Sequence, residues 1–155
     1  MSILPLEVLV IGVGNMLRGD DGVGPAIIAA LAARGLPGAQ LMICQGDGLQ
    51  LMETWKRADR VILIDAVTTG RKPGTVYRFD ADQQALPADL SFSSTHAFGV
   101  VEAIELARAL DQLPSRLVIY AIEGQRFAIG TGLSPEVGRG LDDVVGRIVG
   151  EVDFM

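Results

Sequence analysis

Leu6-Glu7-Val8-Leu9-Val10-Ile11-Gly12-Val13-Gly14-Asn15-Met16-Leu17-Arg18-Gly19-Asp20-Asp21-Gly22-Val23-Gly24-Pro25 decides the fold. Its first six residues are rich in β-branched side chains, and the run stops at Gly12. A run apolar on both faces reads as a parallel strand covered by helices on both sides. Near the far end, Pro25 sits close to the first position of a helix that continues through Ile27, Ile28 and Leu31 to about Arg34. The ring of Pro25 pre-sets a helical φ where a missing N–H costs nothing.

The same grammar repeats outward from this stretch. Val61-Ile62-Leu63-Ile64 is wholly apolar and ends at Asp65, and Leu117 to Ile122 is a third such run. Ala39 to Cys44 is a weaker strand. Thr75-Val76-Tyr77-Arg78-Phe79 alternates apolar and polar residues, the pattern of an exposed edge strand. Helical spacing covers roughly Leu49 to Ala58 and about Phe98 to Leu110, the latter with Val100, Val101, Ile104, Ala107 and Leu110 on one stripe. Ser134-Pro135-Glu136 is a capping-like start, followed by Val137, Leu141, Val144, Ile148 and Val152. The order βαβαββαβα predicts one α/β domain over residues 1–155. Its sheet should be doubly wound, five-stranded and mostly parallel, lying between helices with one antiparallel edge strand. Asp80 to Ser94 is the least regular stretch, long enough for a functional loop.

Composition narrows the function. The 155 residues carry a formal charge of −6, which argues against nucleic-acid or anionic-membrane partners. Apolar residues at 49% exclude disorder. The single cysteine, Cys44, excludes an intramolecular disulfide and any multi-cysteine metal site, and fits a reducing compartment. No basic leader precedes the apolar start, and no run reaches the ~20 residues of a membrane helix. A cytoplasmic protein without membrane insertion is expected.

In an open parallel sheet, ligands collect beyond the carboxyl ends of the strands. Asp20 and Asp21 follow the first strand, Gly46-Asp47-Gly48 the second, Asp65 ends the third, and Glu123 follows the last. The sole histidine, His96, precedes a helix. Carboxylates and one imidazole at one edge have the donor types to hold a divalent transition metal with positions left open. Each residue also has a structural reading. Asp20 and Asp21 could cap the first helix, Asp65 could anchor a turn, and His96 could sit at a helix start or in the core. Glu123 could face solvent, and Cys44 reads as a small buried apolar side chain.

Other chemistries lack their signatures. The loop Gly-Val-Gly-Asn-Met-Leu has no third glycine of a dinucleotide loop, and there is no Walker lysine. There is no G-x-S-x-G elbow, and a triad using Ser93 or Ser94 would need chain neighbours of His96 to fold back on it. A Cys44–His96 dyad has no local motif.

Gly12 to Gly24 resembles the signature of the nickel–iron hydrogenase maturation proteases. So do Ile64-Asp65-Ala66, Ser94-Thr95-His96-Ala97-Phe98-Gly99 and Gly132-Leu133-Ser134-Pro135-Glu136-Val137, in the same order and over essentially the whole chain. The resemblance implies an aspartic-type endopeptidase that removes a C-terminal extension from the precursor of a hydrogenase large subunit after nickel insertion. It implies that Asp21, Asp65 and His96 engage the nickel, which arrives with the substrate as a recognition element. Some members carry Glu at the Asp21 position. The shorter side chain loses one methylene of reach, and Asp20 is a possible substitute. Asp21 or Asp65 would activate the attacking water, and backbone N–H groups of Gly12, Gly14, Asn15, Gly46 and Gly48 could stabilise the oxyanion. The rival reading is a non-catalytic module that docks nickel onto a partner metalloenzyme.

Overall fold

A computed structural model describes residues 7–93 and 96–155. Leu6, Ser94 and Thr95, on which parts of the first strand and of the histidine motif rest, lie outside the described residues. The strands are β1 (Val8–Val13), β2 (Ala39–Cys44), β3 (Arg60–Val67), β4 (Val76–Asp80) and β5 (Arg116–Glu123). The helices are α1 (Val23–Arg34), α2 (Gly48–Trp55), α3 (Val100–Ala109) and α4 (Pro135–Phe154), and a one-turn 3-10 helix spans Gly19–Gly22. The chain order is the expected βαβαββαβα.

The strand order is β2-β1-β3-β5-β4. Four strands run parallel, and β4 pairs antiparallel with β5 through Val76↔Ile122 to Asp80↔Val118. The doubly wound, mostly parallel sheet with an antiparallel edge therefore stands. From β1 the chain crosses to β2 on one side and then to β3 on the other, which opens the crevice of a doubly wound sheet between β1 and β3.

Alternation along the buried strands divides the core. Val8, Val10, Ile62, Ile64, Val118, Tyr120 and Ile122 pack against α1 and α4. Leu9, Ile11, Val61, Leu63, Leu117 and Ile119 pack against α2 and α3 on the opposite face. Both faces are covered, which is why these strands read as unbroken apolar runs. Gly24 lets α1 settle onto the sheet: a Cβ there would stand 2.5 Å from the Val13 carbonyl oxygen and 2.8 Å from that of Ile64.

Several boundaries differ from the sequence reading. β1 runs past Gly12 to Val13, because the glycine is buried beneath α1 and still pairs with Ile43 and Ile64. β3 does not stop at Asp65. Its last three residues pair with Ala121, Ile122 and Glu123, so Asp65 is held inside the ladder rather than in a turn. Ser134 stands at the N-cap of α4, but its hydroxyl donates to Asp20 instead of capping the helix. The irregular stretch after β4 returns to β3: Val67 and Phe92 form an antiparallel bridge, and the Ser93 N–H donates to the Ala66 carbonyl at 3.1 Å.

Candidate active site

β1 leaves the sheet at Val13, and Gly14 turns the chain with φ +140° while its N–H bonds the Cys44 carbonyl. The Asn15 side chain then caps its own turn, accepting from the Leu17 N–H at 2.9 Å. This folds Gly19–Gly22 back under β1 and buries both Asp20 and Asp21.

The two neighbouring aspartates have different surroundings. Asp20 is saturated, its carboxylate accepting from the N–H groups of Gln125 (2.8 Å), Arg126 (2.9 Å) and Ser134 (2.7 Å) and from the Ser134 hydroxyl. Burial pushes its pKa up, but these hydrogen bonds together outweigh burial and hold it below the usual carboxylate value. Asp20 is thus a clamp on the loop after β5. It has no oxygen to spare as a substitute ligand.

Asp21 accepts from the Asn15 N–H at 2.8 Å on Oδ2, which also lies 3.5 Å from the Arg18 guanidinium, and from the Ser93 hydroxyl on Oδ1. Across the β1–β3 crevice lies Asp65, fully buried. Its Oδ1 accepts the Ala66 N–H at 2.7 Å, and among the described residues its Oδ2 has no hydrogen-bond partner. Burial first, and the charge on Asp21 second, push the Asp65 pKa well above the ordinary carboxylate value, against the Ala66 hydrogen bond. An unpartnered buried oxygen beside a second carboxylate is an expensive arrangement, of the kind found where a ligand or proton is to be received.

The structure brings Asp21 and Asp65 together but leaves His96 apart. His96 is exposed, and it lines a cavity of about 290 Å³ with Leu90, Phe92 and Val100, where the chain approaches α3. Among the described residues, no three His, Cys, Asp or Glu side chains stand close enough to share one metal ion. A larger cavity of about 410 Å³, between Lys72–Val76 and α4, contains none of the candidate residues.

Of the backbone donors considered for an oxyanion, three are engaged within the fold. Gly14 N–H bonds Cys44, Asn15 N–H bonds Asp21, and Gly48 N–H bonds the Phe98 carbonyl at 2.8 Å. Gly12 lies within β1 under α1, and Gly46 takes φ +101° in the turn after β2. Asp47 caps α2 by accepting the Leu49 N–H at 3.1 Å.

Two residues have structural roles that their sequence left open. Glu123 does not face solvent. It is buried at the end of β5 and accepts from the Thr69 N–H at 2.7 Å, the Thr69 hydroxyl and the Tyr77 hydroxyl at 3.0 Å, pinning the chain after β3. Cys44 is buried against Thr54, and burial raises its thiol pKa, the opposite of an activated nucleophile. From sequence, Ser93 reads only as a candidate triad member. Its contact with Asp21 spans 72 positions and follows from the Val67–Phe92 bridge, which no local motif announces.

The fold and the candidate site together define an α/β protein with a doubly wound sheet and a carboxyl pair, Asp21 and Asp65, at its switch point. Comparison with known proteins makes this particular. The family model described as hydrogenase maturation protease matches residues 25–151, and the chain belongs to that family. It is 29% identical over 155 residues to a putative hydrogenase maturation protease of Methanocaldococcus jannaschii, covering 94% of this chain and 96% of that one. It is 28% identical to the hydrogenase expression/formation protein HupD of Thiocapsa roseopersicina over 84% of its own length, spanning 61% of HupD. Among solved structures, the [NiFe] hydrogenase maturation protease HybD of Thermococcus kodakarensis superposes with a TM-score of 0.74 at 26% identity, over 92% of this chain and 97% of that one. Among the described residues, no helix is long and apolar enough to cross a membrane.

Proposed function

We propose that this protein is the endopeptidase that removes the C-terminal extension from a nickel–iron hydrogenase large-subunit precursor, and that it acts in the cytoplasm on precursor already loaded with nickel. Family membership supports the activity. The observation that carries the assignment of residues is the Asp21–Asp65 pair, with Asp65 Oδ2 buried and unpartnered.

The substrate's nickel fits this donor set. A hard oxygen with no hydrogen bond to give up, whose ionised form is disfavoured by burial and by the charge on Asp21, gains from a divalent cation on both counts. Precursor without metal offers nothing to relieve that repulsion, so the pair discriminates loaded from unloaded substrate. His96, which lines the cavity beside α3 in this structure, is the third donor by family resemblance and would have to approach the pair to reach the metal. The same environment makes Asp65, once ionised, a stronger base than an ordinary carboxylate, suited to take the proton of an attacking water.

The test is mass spectrometry of the large-subunit precursor from the same organism, incubated with wild type or Asp65→Asn, with and without nickel. Loss of C-terminal mass only with nickel and only with wild type is the expected result. A nickel-loaded precursor whose mass stays unchanged under wild type would make the chain a nickel-docking module instead.

A further inference from the structure

Eight large apolar side chains are exposed among the described residues, and four of them lie at the carboxyl edge of the sheet, around the two carboxylates. Met16 and Leu17, 62% and 70% exposed, follow β1; Leu49, 62%, opens α2 after β2; Ile129, 80%, lies in the loop after β5. Met16 and Leu17 are chain neighbours and the Gly130–Leu17 hydrogen bond brings the Ile129 loop beside them, so three of the four are grouped rather than scattered singly.

The fold also holds them rigidly. The Gly130 N–H donates to the Leu17 carbonyl at 2.9 Å, which joins the two loops directly. Beneath that bond, Asp20 accepts from Gln125, Arg126 and Ser134, while its own N–H donates to the Arg126 carbonyl at 2.7 Å. Asn15, next to Met16, donates its N–H to Asp21. The ridge and the Asp21 carboxylate are therefore carried by one loop, and a chain that approaches Asp21 meets the loop that bears Met16 and Leu17. A rigid apolar rim around a polar centre is the anatomy of a protein–protein contact, where a few desolvated anchors dominate affinity.

We propose that Met16, Leu17 and Ile129, with Leu49 on the opposite side of the crevice, form the docking surface for the polypeptide that is cut, and set affinity for it separately from the chemistry. The occupant follows from continuity with the carboxylate pair, so the proposal rests on the peptidase reading above.

The experiment compares wild type, the double variant Leu17→Gln/Ile129→Gln, and Leu110→Gln, an exposed position beyond the C-terminal end of α3. Binding of the nickel-loaded precursor is titrated directly and its cleavage is followed by mass spectrometry. Neutral polar replacements at exposed sites leave the net charge and the core unchanged. The expected result is a Kd and a KM raised about tenfold or more in the double variant with kcat preserved, and no change in Leu110→Gln. Wild-type cleavage with the double variant's Kd and KM within about twofold of wild type overturns the docking surface alone. A wild type that neither binds nor shortens the precursor overturns the peptidase reading and the docking surface with it.

Discussion

Asp20 and Asp21 adjoin in sequence, yet Asp20 is fastened by Gln125, Arg126 and Ser134 while the charge of Asp21 bears on Asp65 across the sheet. One aspartate braces the loop after β5, and the other is the one proposed for the chemistry. This division separates what stability measurements and activity measurements should see.

Asp20→Ala leaves three backbone N–H groups and a hydroxyl without their acceptor. Each orphaned buried donor costs about 1–3 kcal/mol before relaxation, so a net loss near 3 kcal/mol is expected, read as a lower urea midpoint. Because the native pKa of Asp20 is depressed, its charge contributes stability fully above the ordinary carboxylate range near 4 and loses it as pH falls through the native value. The gap between wild type and Asp20→Asn should therefore narrow between pH 6 and pH 3.

Asp65→Asn should behave in the opposite way. The native pKa of Asp65 is raised, so the folded protein holds a proton that the unfolded chain has released. Its contribution is intact below about pH 4 and is lost as pH rises toward the native value. The amide removes that penalty. The variant should keep its fold, gain stability relative to wild type by an amount that grows from pH 5 to pH 8, and process precursor at least about 100-fold more slowly. Full processing by a folded Asp65→Asn protein would remove Asp65 from the chemistry.

Cys44→Ala should process precursor at a rate within about twofold of wild type. The thiol is buried with a raised pKa, so it should also resist alkylation in the native protein and react only on unfolding. Thiol counting before and after denaturation tests this, and the small cavity left behind should cost about 1–2 kcal/mol.

Gly14→Ala should destabilise the protein by about 3 kcal/mol or more. The residue adopts φ +140°, and its new Cβ would collide with the backbone carbonyl of Asp21. Activity should fall with it, since the collision falls on the backbone that sets Asp21. A circular-dichroism melt alongside the cleavage assay checks both.

How much of this was legible in the chain depended on the range of the interaction. Strand and helix types follow from short-range periodicity, and so the order of elements and the edge character of β4 were readable from Val8–Ile11, Leu117–Ile122 and the alternation around Tyr77. The rule that ligands gather beyond carboxyl ends pointed to Asp21 and Asp65. Boundaries were less legible, because pairing with β5 carries β3 past Asp65 regardless of the local pattern.

Sequence by itself determined the class of fold and the family to which the chain belongs, since each is written in residues close together or in a signature of fixed spacing, and it pointed to the sheet edge proposed here for the chemistry. Tertiary structure alone decided which of two adjacent aspartates is a clamp, that Ser134 serves Asp20 rather than α4, that Glu123 is an internal strut and that Asp65 keeps an unpartnered oxygen. Those roles are set by hydrogen bonds between residues tens of positions apart. A buried carboxylate takes its function from whichever donors the fold delivers to it, and local sequence does not specify those donors.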